Sequence, residues 1–470
     1  MSNDAGLAVN IVQFAEHARQ RAWERGAPVL WSEARRVDGF CDPFRAYAGL
    51  DGVGRRVLWV DPQEDLAFVG VGVAMEAGFE GWTRFADASA WWRDEAMWSV
   101  GSRGGPRDLQ LPMAASGFRF DPERSSGAEW QGFPDGAVVV PSRLVITRDR
   151  ESWAVGTLLV HADDELDGVS GRMEDLLAQT AAMADVSNEA PTDVPSLISR
   201  EETPDMSTWK REVVSAADRI RRHEVDKVVL ARREERTFAG PLPLGTLLQR
   251  MQQANQQAAV FAIEVGEQTF IGASPETLVA LRNGALQTVP LAGSAPRGAT
   301  SGEDERLARA LLRSRKDLHE HEVVVGAMLQ ALDLVAEVSP DPDTPMVVQH
   351  RTVQHLATPI RGTVRENVTA LDVVGRLHPT PAVGGYPTED ALDVIRKVEP
   401  FDRGWYAGPV GWVDAGGDGK FVIGIRSGLV RGSTAYLYAG CGIVGDSDPD
   451  AEYRETQMKI DAIGSSMEAR

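Results

Sequence analysis

YLYAGCGIVGDSDPDAEYRETQMK, residues 436–459, sets an alternating apolar strand, a glycine-rich turn and an acidic helix start in immediate succession. Tyr436 to Tyr438 suggest a strand running into Gly440 and Gly442, whose missing Cβ atoms would let backbone amides come close to a ligand. Ser447 and Asp448 offer N-cap oxygens and Pro449 suits the first helical position, so a helix is predicted to start there. On that helix Glu452, Glu455 and Lys459 fall on one face by the three-and-four rule. Two carboxylates and an ammonium beside a glycine turn are the parts of a metal-assisted anion site. The plainer alternative is an exposed helix carrying stabilising ion pairs.

Outside this stretch, 470 residues with 43% hydrophobic content are enough for a large core, as one α/β unit or two domains. The formal net charge of -20 argues against a nucleic-acid or anionic-membrane surface, which would need clustered Lys and Arg. Any attraction for an anionic substrate must therefore be local. Cys41 and Cys441 are too far apart in sequence for metal-ligand spacing and suggest a reducing compartment without a disulfide framework. The first residues lack a basic stretch before an apolar core, and no later apolar run reaches spanning length, so the expectation is a soluble, cytoplasmic protein.

The first third reads as sheet-rich. A helix is expected over residues 9–25, then strands over 28–32, 56–60 and 66–73, with turns of Gly, Pro and Asp between them. Trp91, Trp92 and Trp98 read as core aromatics on a helix. Strands over 135–160 continue a meander, a helix covers 172–184, and residues 186–207 read as a connector or exposed loop. That connector ends a variable part, 1–206, and a second region follows over 207–463.

In the second region Lys227 enters a short apolar strand, a place where lysines are ordinarily solvated. A hairpin over 258–281 is broken by Pro275, leaving Glu276 at a strand end. Gly293 and Ser294 could offer donors to an anion. One long helix is expected over 303–338, with Asp317 and Glu320 sharing a face. His355 closes a β-like run, and either an edge histidine or a ligand contact fits it. Arg426 sits in an apolar strand and needs a charged or multiply hydrogen-bonding partner, such as a carboxylate ligand.

Taken together, DKVVLAR around Lys227, FIGASPE ending at Glu276, PLAGSAPRG, DLHEH from Asp317, VQHL, LHPTPAVGGYP, YAGPVGW from Tyr406, IRSG and AGCGIVGDSDPDAEYRET resemble the chorismate-utilising enzyme family. The motifs follow the family order from residue 208 to about 463. The resemblance implies a single large α/β (α+β) unit: two antiparallel sheets packed face to face, with helices outside and the N-terminal part in the same unit. LHPTPAVGGYP is similar to the water-using members, and Tyr386-Pro387 departs from the amine-transferring pattern. The length of the N-terminal part resembles the menaquinone-type isochorismate synthases more than the shorter siderophore ones. Salicylate synthase and the amine-transferring synthases are the competing activities, and a silent binding homologue is the competing class.

What the resemblance implies for the site is specific. Lys227 would be the general base that activates water, and Glu276 the general acid that protonates a leaving hydroxyl. Mg²⁺ would be held by Glu320 and Glu455, with Asp317 and Glu452 reaching it through water. Lys459, Arg426 and Tyr406 would hold the carboxylates of chorismate, helped by backbone amides near Gly440 and Gly442, with Ser294 and His355 in the same pocket. A relatively dry cavity is expected, because an amine must lose a proton near neutral pH while a carboxyl keeps one. No glutaminase subunit, nucleic acid or membrane is expected as a partner.

Overall fold

The structure is a computed structural model and describes residues 2–50, 52, 54–102, 104–124, 126–185, 193–349 and 353–468. Two large sheets face each other across the main core. Their contact is made by aromatic side chains: Phe68 of one sheet meets Trp412 of the other edge-on with centroids 6.4 Å apart, and Phe270 meets Trp405 at the same separation. Trp59, Trp92, Trp130, Trp405 and Trp412 are all at least 98% buried, so this interlayer is the largest apolar investment in the chain. Helices lie outside, and Trp92 anchors the Arg84–Trp98 helix by donating its indole N–H to the Asp414 carbonyl at 2.8 Å.

Both sheets are woven from early and late sequence. In the larger sheet, strand Arg56–Asp61 pairs antiparallel with Ala259–Val265. In the other, Met113–Phe118 pairs antiparallel with Pro409–Asp414. Two features depart from the expectation of two antiparallel sheets: Val29–Val37 runs parallel to the two-residue strand Val100–Gly101, and a third sheet, also antiparallel, joins Leu291–Pro296, Val353–Ala357 and Met346–Gln349.

Two element predictions are corrected. The segment predicted as one helix over 303–338 is two helices, Ser301–Leu311 and Arg315–Leu332, followed by the strand Ala336–Pro340. Ser314 breaks it: its hydroxyl caps the second helix by accepting from Asp317 N, so Asp317 starts a new first turn. The predicted connector over 186–207 falls partly outside the described residues, and its later part is the strand Leu197–Thr203 at the edge of the large sheet. Nearly all of that strand is exposed, because backbone pairing with Arg233–Phe238 holds it in place of an apolar face.

Strand Lys227–Phe238 lies next to this edge and pairs along most of its length with Thr434–Ile443. Residues 228–232 are buried on both faces, and burial then alternates as one face opens. Arg232 is fully buried behind the Pro449–Gly464 helix, donating to Thr456 Oγ1 at 2.8 Å and stacking over Tyr453. That helix begins where the sequence places it, with Asp448 accepting from Ala451 N and Pro449 at the first position.

Candidate active site

One cavity of about 270 Å³ opens where the Lys227 and Tyr436 strands end and the Arg315–Leu332 and Pro449–Gly464 helices converge. Its wall contains Lys227, Glu276, Asp317, Glu320, His355, Tyr406, Arg426, Gly440, Gly442, Glu452, Glu455 and Lys459. These are separated by more than 200 residues of chain, and the topology brings them to one place. Ser294 pairs through its backbone with His355 beside the cavity, and its side chain lies outside the described atoms.

Each part has a local reason to be there. Gly442 leaves room for Lys227, since a Cβ there would sit 2.9 Å from Lys227 Cε. Gly440 does the same for Tyr406, whose hydroxyl would lie 3.2 Å from an added Cβ. These glycines thus clear space for side chains as well as for a ligand. Arg426, predicted inside an apolar strand, lies instead between strands: its φ of +50 makes a left-handed turn after Gly419–Ile423 that directs the chain back into Ser427–Arg431.

The electrostatics set the carboxyls apart. Glu276 is walled by protein, and this desolvation pushes its pKa up to about 7 against the opposing pull of Arg426, Lys459 and Lys227. A carboxyl that is half protonated at neutral pH can donate a proton. Burial also raises Glu452, with the charge of Glu455 adding to it. Burial raises the Tyr406 phenol and so keeps its hydroxyl neutral; it lowers Arg426, but a guanidinium starts far enough above neutral pH to remain a cation. Lys227 Nζ donates to Glu320 Oε1 at 2.6 Å, and Lys459 Nζ donates to Glu455 Oε1 at 2.7 Å and to the Gly440 carbonyl at 2.8 Å.

Among the described residues no three His, Cys, Asp or Glu side chains are gathered into a ready ion cage. The donor set nonetheless suits a hard divalent ion. Four carboxylates from two helices, Asp317, Glu320, Glu452 and Glu455, line the same cavity, and two of them, Glu320 and Glu455, already have a lysine cation as partner.

The chorismate binding enzyme family matches residues 16–468. The chain belongs to this family. It is 36% identical over 465 residues to the isochorismate synthase MenF of Bacillus subtilis, covering 96% of each chain. It is 35% identical to a salicylate biosynthesis isochorismate synthase of Pseudomonas aeruginosa, over 97% of this chain and 93% of that one. The fold is that of the menaquinone-specific isochorismate synthase MenF from Escherichia coli, with a TM-score of 0.78, 23% identity, and coverage of 96% of this chain and 99% of that one.

As a chorismate-binding enzyme, the chain uses its LHPTPAVGGYP segment as scaffold. Ala382 and Val383 form cavity wall, Gly385 and Tyr386 pair with Val228 and Lys227, and the Gly384 carbonyl accepts from Val229 N. His378 is a buried, neutral imidazole whose Nε2 pairs with the Phe120 carbonyl, and burial beside Arg84 lowers its pKa to about 3. Sequence reasoning missed these contacts because they are backbone contacts. It also missed Lys316, which lines the cavity and bridges to Asp446 at 2.6 Å across its rim; its place beside Asp317 was the available signal.

Gly385 has φ +129, and a Cβ there would lie 2.3 Å from the Lys227 carbonyl. Gly385→Ala is therefore expected to lower unfolding free energy by about 1–3 kcal/mol in denaturant titration, the usual range for overpacking. Unchanged stability would show that the two strands can separate at no cost.

Proposed function

We propose that the chain converts chorismate to isochorismate in a Mg²⁺-dependent reaction, as an isomerase, and that it serves menaquinone biosynthesis. The observation that carries the reading is the raised pKa of Glu276 in a cavity that also holds a lysine amine. Glu276 can give a proton at neutral pH. Lys227 removes a proton from water as the water oxygen bonds to ring carbon 2. Both ring double bonds shift by one position, and the carbon 4 hydroxyl leaves with the proton of Glu276. Atoms balance, because one water enters and one leaves.

Arg426, Lys459 and Tyr406 line the cavity in the forms needed to hold carboxylates, and support their assignment to substrate. Glu320 and Glu455 would hold Mg²⁺, with Asp317 and Glu452 behind them. When bound, the ion would neutralise and polarise the ring carboxylate. A protein of net charge -20 can hold a dianion because contact-distance charges dominate and remote ones are screened. A second pathway reading, isochorismate made for salicylate, is supported by the Pseudomonas relative. It differs in what consumes the product and leaves the chemistry in the pocket the same.

Incubation with chorismate and Mg²⁺, with products separated by chromatography, is expected to give isochorismate. Added ammonia should yield no aminated product, and no pyruvate should form. Chelation of the metal should stop turnover, and Mg²⁺ should restore it. Salicylate with pyruvate, or an aminated ring, would replace this reading with one of its competitors.

A further inference from the structure

The strand that carries Lys227 has a gap along one edge. On that side Gly385–Tyr386 pairs only with Val228 and Lys227, and Leu197–Thr203 begins its pairing at Arg233. Between them, Val229 N still donates to the Gly384 carbonyl at 3.0 Å, but the Val229 carbonyl and the Ala231 N–H have no strand to meet. Two side chains meet them. Arg403 Nη2 donates to the Val229 carbonyl at 2.7 Å, and Ala231 N donates to Glu399 Oε1 at 2.7 Å.

Glu399 and Arg403 are at least 96% buried, and they are bound to each other twice, at 2.5 and 2.9 Å. The Arg403 guanidinium also donates to the Val383 carbonyl at 3.0 Å and lies over the Phe120 ring. Tyr406 N donates to the Arg403 carbonyl at 2.9 Å. A buried ion pair is a poor way to gain stability, because desolvation offsets most of the attraction. This one has a different use. It presents one N–H donor and one oxygen acceptor at the spacing of a missing strand, two residues from Lys227.

We propose that Glu399 and Arg403 are positioning residues, which act through the backbone of Val229, Ala231 and Val383 to hold Lys227 in register across the cavity. The inference rests on the assignment of Lys227 as base. Displacements of about 1 Å in a reacting group can cost about 10²-fold in rate, so small slack in this strand should be visible in kcat.

Two variants test it. Arg403→Lys keeps the charge but cannot reach Glu399, Val229 and Val383 together. The double variant Glu399→Met, Arg403→Met removes both charges and keeps most of the volume, so folding survives without the backbone partners. Both are expected to lower kcat about 10- to 100-fold while KM for chorismate and the activating Mg²⁺ concentration stay within about threefold, since Arg426, Lys459 and the acidic helices are untouched. Amide exchange across residues 227–233 should quicken, with the Pro449–Gly464 helix unaffected. A folded variant with unchanged kcat, or a parallel loss in KM and Mg²⁺ response, overturns the proposal. Failure of both variants to fold overturns it too, by making the pair a fold-stability element. Lys227→Ala, run alongside, separates the two claims: if it stays active, the base assignment fails whatever the pair does.

Discussion

Lys227→Ala is expected to lower kcat for isochorismate formation by about 10²- to 10⁴-fold, the usual contribution of a general base, while KM for chorismate changes little. The asymmetry follows from geometry. Arg426, Lys459 and Tyr406 line the cavity independently of Lys227, so carboxylate binding survives its removal. A second effect distinguishes this variant from a merely damaged enzyme. Lys227 pairs with Glu320, and its loss leaves that carboxylate without its cation. Mg²⁺ should then bind more tightly, and half-activation should occur at a lower concentration, even as turnover collapses. A damaged site would lose both together. Steady-state kinetics over a Mg²⁺ titration read both quantities, and a kcat within tenfold of the parent enzyme would remove Lys227 from the chemistry.

The same strand shows what could be read before the structure was in hand. Side-chain chemistry with fixed spacing was legible: Asp448-Pro449 start a helix, and Glu452, Glu455 and Lys459 share its cavity-facing side. Apolar periodicity was less dependable. It runs straight through Leu312 to Ser314, because a one-turn interruption barely shifts the phase, and only the Ser314 cap marks the break. Leu197–Thr203 was hidden for the opposite reason. It is an edge strand with exposed side chains, so its pairing lies in backbone groups that every residue has. Glu399 and Arg403, four apart at a helix end, look like a surface pair in sequence. Their burial is a property of what surrounds them. The supporting contacts of LHPTPAVGGYP were invisible on the same ground, although the motif itself was recognised.

Glu276→Gln should cost activity and add stability, and the two effects have one origin. The side chain has its pKa raised from 4.5 to about 7 by burial, so the folded protein binds a proton there that the unfolded chain has released over that interval. More protons bound in the folded state means that stability falls as pH rises from about 4.5 to about 7, and the cost is fully present above that. An amide of the same shape carries no such cost. At pH 8 the variant is therefore expected to be more stable by on the order of 3–4 kcal/mol, at about 1.36 kcal/mol per pKa unit, and at pH 4 by almost nothing. Below about pH 7 its kcat should fall by about 10²- to 10⁴-fold, since the leaving hydroxyl loses its proton source. In the parent enzyme the acid is competent only when protonated, so kcat/KM should fall as pH rises through about 7, and that limb should be missing from the residual activity of the variant. Paired urea titrations at pH 4 and pH 8, with the pH–rate profile, measure all of this. A variant that is inactive yet no more stable at pH 8 than at pH 4 would mean that Glu276 is ionised in the free enzyme, and the proton would have to come from elsewhere.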